Sequence, residues 1–472
     1  MITKEQFQEK RNNNELFFIT DEMEGDEVTP IVLYQRLGGK KKFLLESSLV
    51  HEDKGRYSFI GSNPYLEVKS NGEEVQIVSE DGTEKKTGKV LHVLEELMSF
   101  TQADSPFPFA GGAVGYVGYD VIRQYEVIGE ENIDELQMPE AHLMFYQTFV
   151  VYDHKQQKVT FVYVYRPEEK TSYEEVQNIL RRMKEQAMRQ TAPAVPAARL
   201  KADFTSNVTQ DEFYGMVEKA KEHIRAGDIF QVVLSQRLRT KFEGDPFGLY
   251  RRLRITNPSP YMFYVDFEDY TVLGSSPESL LSVRGKKVTT NPIAGTRPRG
   301  AGKEEDERIA KELCENEKEK AEHLMLVDLG RNDLGLVSEI GTVELEKFMV
   351  IERYSHVMHL VSEVSGKLRE GITCFDALQY CLPAGTVSGA PKIRAMTIID
   401  ELENSKRGVY SGTVGYISFT GDMDMALAIR TMVVKDSQAY IQAGAGIVYD
   451  SKPSDEYMET INKAKALLEV LK

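Results

Sequence analysis

The strongest constraint on this chain is its succession of short β-forming runs joined by turns. TFVVYDHKQQKVTFVYVY (148–165) sets alternating β-formers on either side of a polar turn, the pattern of a hairpin. Near the C-terminus, VYSGTVGYISFT, MALAIRTMVV and AYIQAGAGIV follow one another as three strands in meander order. Between such runs lie helical patterns, among them about 171–189 and DEFYGMVEKAKEHIRAGD (211–228), an amphipathic helix ended by Gly227. Strands in sequential runs with helices interspersed predict an α+β chain with mostly antiparallel sheet.

Residues 1–190 alternate strand-like and helical patches, including LLESSLVHEDKGRYSFIG (44–61) and the glycine-studded strand GGAVGYVGYD (111–120). QTAPAVPAARLKAD (190–203) is rich in Ala and Pro and has no periodic face. It predicts a linker over 191–203 between an N-terminal region, 1–190, and a larger region, 204–472. AGTVSGAPKIRAMTIIDELE (384–403) reads as a Gly-rich turn feeding a helix, with Pro391 near its first turn.

Composition narrows the partners. A net charge of −16 leaves no background on which a nucleic-acid-binding face survives. It also means that an anionic substrate needs a locally positive site. No apolar run approaches the roughly 20 residues that span a bilayer, and the opening MITKEQFQEKRNNNE lacks the apolar core of a signal peptide. Cys314, Cys374 and Cys381 are an odd number without metal spacing, so a reduced, cytoplasmic protein is expected.

One stretch carries chemistry by its spacing: ENEKEKAEHLMLVDLGRND (315–333). Asn316 with Glu319 three residues on reads as a helix start. Glu319 and Glu322 then project from one face. The apolar run Leu324-Met325-Leu326-Val327 that follows is expected to be buried. Glu456 and Glu459 repeat the spacing in SDEYMETINKAKALLEVLK. Two helices could thus bring four carboxylates around one hard cation, for which Mg2+ is suited. A solvated face paired with Lys318, Lys320 and Lys463 is the plainer reading. Zinc or di-iron through Glu319-x-x-x-His323 and His356-x-x-His359 is a third.

NPIAGTRPRG, EKAEHLMLVDLGRND, YSHVMHLVS, PAGTVSGAPK and AGAGIV, in this order over roughly 205–472, resemble the chorismate-utilising enzyme family. LLES (44–47), RYSFIG and GGAVGY extend the likeness towards the N-terminus. The resemblance implies large, mostly antiparallel sheets in a sandwich flanked by helices. It implies Mg2+ at Glu322 and Glu459, with Glu319 and Glu456 in the same cluster, holding the ring carboxylate of chorismate. Gly295 and Thr296 match ring-contacting positions, and Tyr410 and Arg430 match the residues that hold the enolpyruvyl carboxylate. Gly444, Ala445 and Gly446 match the segment whose backbone N–H groups face a carboxylate, and Lys463 belongs with the substrate-binding positions. His359 matches a histidine near the departing 4-hydroxyl. Glu278 and Glu319 are candidate acid/base carboxylates, and Thr386 lies in a motif lining the same cavity.

Two positions choose a branch within that resemblance. Hydroxylating members activate water with a lysine where this chain has Gln231, and some aminating members carry a nucleophilic lysine where it has Ala294. Direct attack of ammonia at C2 is therefore expected, giving anthranilate and pyruvate and opening tryptophan biosynthesis. None of the three cysteines fits a glutaminase elbow. A separate glutamine amidotransferase subunit is the expected partner and ammonia source. Leu45, Glu46 and Ser47 with Asn257, Pro260, Tyr261 and Met262 match a feedback site for L-tryptophan. The alternatives are the aminating subunit of an aminodeoxychorismate synthase, a catalytically silent tryptophan-binding regulator, and a metal hydrolase.

Overall fold

The computed structural model describes residues 2–47, 55–98, 100, 103–130, 132–167, 169–190, 198–200, 203–354 and 357–468. Among these, the strands gather into a thirteen-stranded and a twelve-stranded sheet. The first runs Phe17–Glu24, Lys158–Tyr165, Thr148–Asp153, Tyr57–Gly61, Phe43–Glu46, Tyr261–Asp266, Tyr270–Ser276, Thr431–Lys435, Gln438–Ile447 and Gln231–Glu243, ending on Arg199–Leu200. The second runs from Ile293–Pro298 through Val357–Lys367, Lys287–Thr290, Ser279–Arg284, Met423–Leu427 and Thr413–Ser418. It continues through Gly112–Val117, Ala141–Tyr146, Leu66–Asn71 and Glu74–Ser79 to the edge at Gly82–Thr87. The hairpin expected at 148–165 is present, Phe149 facing Val162 and Val151 facing Thr160.

The period-two alternation of side chains decides what each face meets. Phe149 and Val151 belong to the core between the sheets, while Val150 and Tyr152 belong to the core under the helices. Aromatic rings knit the inter-sheet layer, Phe59 meeting Tyr416 at 5.9 Å and Phe43 meeting Tyr146 at 4.6 Å. Helices Pro30–Arg36, Tyr173–Ala187 and Pro246–Thr256 cover the outer face of the first sheet.

The segment expected as a linker does not divide this core. Phe43–Glu46 pairs with Tyr261–Asp266, and Gly112–Val117 pairs with Thr413–Ser418, so both sheets draw strands from either side of 191–203. At the second seam Gly115 faces Gly415. A Cβ on Gly115 would lie 2.0 Å from the His142 carbonyl oxygen, which explains the glycine. Residues 191–197 and 201–202 of that segment lie outside the described residues, as does His356.

The C-terminal meander needs correction. MALAIRTMVV is two strands, Met423–Leu427 in the second sheet and Thr431–Lys435 in the first. The chain changes sheet through Ala428–Ile429–Arg430, with Arg430 in the left-handed region at φ 48°. Tyr270–Ser276 passes into Ser279–Arg284 in the same way, through Pro277 and Glu278. The Ser275 N–H donates to the Arg430 carbonyl at 3.1 Å and the Leu427 N–H to the Glu278 carbonyl at 3.0 Å. The two crossings are thereby stapled together, and each presents one ionisable side chain, Arg430 and Glu278.

Candidate active site

The helix Glu317–Gly335 forms as its start signal predicts: the Asn316 side chain accepts from the Glu319 N–H at 3.0 Å. Its apolar run is buried only in part, since Leu326 and Val327 are covered while Leu324 is 46% exposed. A continuous four-residue run covers every direction around a helix, so one of the four had to face solvent. Glu319 leans towards the bulge at Ala294–Thr296: a Cβ on Gly295 (φ +64°) would lie 3.0 Å from Glu319 Oε2. The Arg297 guanidinium donates to Glu319 Oε1 at 3.0 Å.

Glu322 accepts from the Gln231 amide at 3.0 Å, and a Cβ on Gly446 would meet that same Nε2 at 2.5 Å. Gln231 Oε1 is buried without a partner among the described residues. On the terminal helix Pro453–Leu468, Lys463 pairs with Glu459 at 2.7 Å and donates to the Gly444 carbonyl at 2.9 Å. Gly444, Ala445 and Gly446 pair with Ser235, Leu234 and Val233. A Cβ on Gly444 would lie 2.7 Å from the hydroxyl of buried Tyr410, whose pKa burial raises to about 12.

The four acids sense one another. Burial pushes the Glu322 carboxyl up, with the charges of Glu319 and Glu459 adding to the rise, and burial and Glu459 do the same to Glu456. Among the described residues, no three His, Cys, Asp or Glu side chains converge closely enough to hold an ion, and Arg297 and Lys463 neutralise two of the acids. Their donor chemistry, carboxylate oxygens alone, fits Mg2+. The alternative ligand His323 is fully buried, with Nε2 2.7 Å from Ser362 Oγ.

His359 faces the same bulge. Its Nδ1 lies 3.2 Å from the Gly295 carbonyl and 3.1 Å from Thr296 Oγ1. A carbonyl only accepts, so Nδ1 carries the hydrogen and Nε2 is bare; Nε2 is buried and unpartnered. Burial, with Arg430 adding to it, lowers the imidazole pKa to about 4. Glu278 is the opposite case: burial raises its carboxyl to about 8, against a 2.9 Å hydrogen bond from Thr386 Oγ1. It is therefore a neutral acid at pH 7. Arg430 is half-buried, and its guanidinium makes no hydrogen bond or ion pair among the described residues. Unpartnered cations at that depth are rare without an anionic ligand.

Arg430 lies within electrostatic reach of Tyr354 and His359, His359 bonds to the Gly295 carbonyl beside Glu319, Glu322 bonds to Gln231 beside Gly446, and Tyr410 lies against Gly444. A chain of 472 residues matches the model of the chorismate binding enzyme family over residues 44–469. The chain belongs to that family. It is 48% identical over 467 residues to anthranilate synthase component 1 of Acetivibrio thermocellus, covering 96% of this chain and 94% of that one. Against the Aquifex aeolicus component 1 it is 44% identical, covering 100% and 97%. The crystal structure of anthranilate synthase component I from Streptococcus pneumoniae TIGR4 superposes with a TM-score of 0.80 at 44% identity, covering 94% and 98%.

The expected effector residues form a separate cavity of about 430 Å³ between the sheets. Leu45, Glu46, Ser47, Pro260, Tyr261 and Met262 line it, with Arg56, Arg284 and Asp424. Asn257 is not in the lining; its carbonyl accepts from Ser275 Oγ at 2.5 Å. Glu46 is already engaged, accepting from the Tyr250 hydroxyl at 2.6 Å and Arg254 Nε at 2.9 Å. Sequence reasoning missed two groups. Tyr354 is absent from any spacing signal. Arg407 is fully buried, bonded to Glu403 at 2.6 Å and to the carbonyls of Val387 and Val233 at 2.7 Å each, and it packs beneath Tyr410.

Proposed function

We propose that this chain catalyses the anthranilate synthase reaction, in which chorismate and ammonia give anthranilate, pyruvate and water. The observation that carries the reading is an unpaired guanidinium within electrostatic reach of His359, together with four mutually coupled carboxylates. A ligand with two carboxylates and a hydroxyl leaving group complements it. Arg430 would hold one carboxylate in a bidentate pair, with the Tyr410 hydroxyl as the expected second donor. Glu322, Glu459, Glu319 and Glu456 would hold Mg2+, which supplies charge for the other carboxylate.

His359 keeps its Nδ1–H on Gly295 and offers Nε2 to the departing hydroxyl. A dianionic ligand stabilises the imidazolium, so the same Nε2 can carry and deliver a proton as the C–O bond breaks. Glu278 holds a proton up to about pH 8 and is the second group able to give or take one. Gln231 is a neutral amide fixed on Glu322 and cannot deprotonate water, which favours ammonia as nucleophile. Ammonia would come from a separate glutamine amidotransferase subunit: Cys374 and Cys381 are buried with their thiol pKa values pushed up, the reverse of a nucleophile.

The inter-sheet cavity is the site for L-tryptophan as feedback inhibitor. Its apolar walls suit an indole, and its charged residues suit the amino-acid end. The test is steady-state turnover of chorismate with ammonium and Mg2+, product identified by fluorescence, with and without L-tryptophan. Anthranilate suppressed by tryptophan supports both sites; isochorismate or aminodeoxychorismate would overturn the reaction assignment. Because the chain contains no tryptophan, indole emission from added ligand reports binding directly. A blue shift that Met262→Glu abolishes is expected, and emission unchanged by the protein would remove the effector site.

A further inference from the structure

Tyr354 stands at the centre of the groups that the reaction uses. It is buried, and its ring meets the His359 imidazole edge-on, centroids 5.3 Å apart at 65°. Its hydroxyl donates to Glu352 Oε2 at 2.9 Å, which ties the ring down at its far end. That hydroxyl also lies within the electrostatic reach of Arg430 and Glu278.

The backbone around Tyr354 is held from a distance by one carboxylate. Asp306, in the first turn of the helix Lys303–Glu315, accepts from Arg299 at 2.7 and 3.0 Å, from Arg353 at 3.0 Å and from the Gly300 N–H at 3.0 Å. Arg299 in turn donates to the Tyr354 carbonyl at 2.5 Å. The Tyr354 N–H donates to the Val357 carbonyl at 2.8 Å. Three charges in this arrangement are better satisfied than an isolated surface pair, because the geometry is bidentate and shared.

We infer that Tyr354 is a positioning residue for His359, its ring fixing the imidazole plane so that Nε2 faces the leaving hydroxyl, and that Asp306 anchors it. The imidazole is restrained at Nδ1 by the Gly295 carbonyl and Thr296 Oγ1, and at its flank by the Tyr354 ring. Both polar contacts act at the one nitrogen, and the ring contact restrains the imidazole plane from its flank. Misalignment at this scale costs rate and leaves binding nearly intact, because the carboxylate anchors are elsewhere. The inference rests on the amination reading above.

A double-mutant cycle on chorismate turnover tests it, comparing wild type, Tyr354→Ala, His359→Ala and the double variant at saturating ammonium and Mg2+. Tyr354→Ala is expected to lower kcat about 10- to 100-fold with KM changed less than about threefold. The double variant should match His359→Ala within about twofold, since a residue acting through another adds nothing once that one is gone. Tyr354→Phe, which keeps the ring, should retain kcat within about threefold. Asp306→Asn, which leaves ring and imidazole in place, should show a smaller kcat loss that also vanishes in the His359→Ala background. Losses that multiply in either double variant, or a loss confined to KM, would overturn the inference. Wild type that makes no anthranilate would instead overturn the reaction assignment, so the two failures are distinct.

Discussion

At the scale of single residues, burial sets the chemistry. Arg430 is a cation held by fold geometry, in a left-handed conformation at a sheet crossing, with no anion of its own among the described residues. Arg430→Ala should cut kcat/KM at least about 100-fold while raising thermal stability or leaving it level, because an unpaired half-buried charge costs free energy. A stability loss with normal kcat/KM would contradict this. Glu278 titrates near 8 against a reference of 4.5. Because the folded state binds its proton more tightly, the contribution of this group is fully present below about pH 4.5 and is lost as pH rises through about 8. Glu278→Gln should therefore flatten the fall in melting temperature across that window, and an unchanged slope would count against the buried acid. The Thr386 hydrogen bond lowers this pKa. Thr386→Val should thus move the corresponding limb of the pH–rate profile upward, read from kcat/KM against pH.

At the scale of elements, local signals were legible and context was not. Asn316 at the helix start, Gly227 at a helix end (φ 82°) and the 148–165 hairpin were all readable, because caps and hairpins are made by neighbours in sequence. Asn316→Ala should cost about 1 kcal/mol of stability by chemical denaturation. The sheet change inside MALAIRTMVV was not readable: β-forming residues lie on both sides of it, and the left-handed residue is an arginine where sequence rules look for glycine. The candidate site residues were named through family motifs rather than spacing. Their spacing alone leaves Glu319 and Glu322 as a solvated helix face. Arg407 was hidden because its carbonyl partners Val387 and Val233 are far away in the chain, and Tyr354 because a ring contact five residues on follows no helix or strand period.

At the scale of the whole molecule, residues 1–190 and 204–472 complete each other's sheets. Composition suggested a linker because an Ala/Pro-rich segment looks the same whether it joins two cores or crosses one. A fragment 204–472 exposes the edges of Tyr261–Asp266 and Thr413–Ser418 and should not fold alone, whereas the full chain should unfold in one calorimetric transition. Two well-separated transitions would contradict a shared core. That sharing also places the strands of the inter-sheet cavity one crossing away from Glu278 and Arg430, with the Ser275 N–H on the Arg430 carbonyl and the Asn257 carbonyl on Ser275 Oγ. The measurement that tests the central claim most directly is turnover of chorismate by the isolated chain with 15N-ammonium, Mg2+ and no glutamine, followed by mass analysis of the aromatic product. The account predicts anthranilate heavier by one mass unit, with pyruvate in equal amount. An unlabelled hydroxylated product, or a labelled one that retains its enolpyruvyl group, would contradict it.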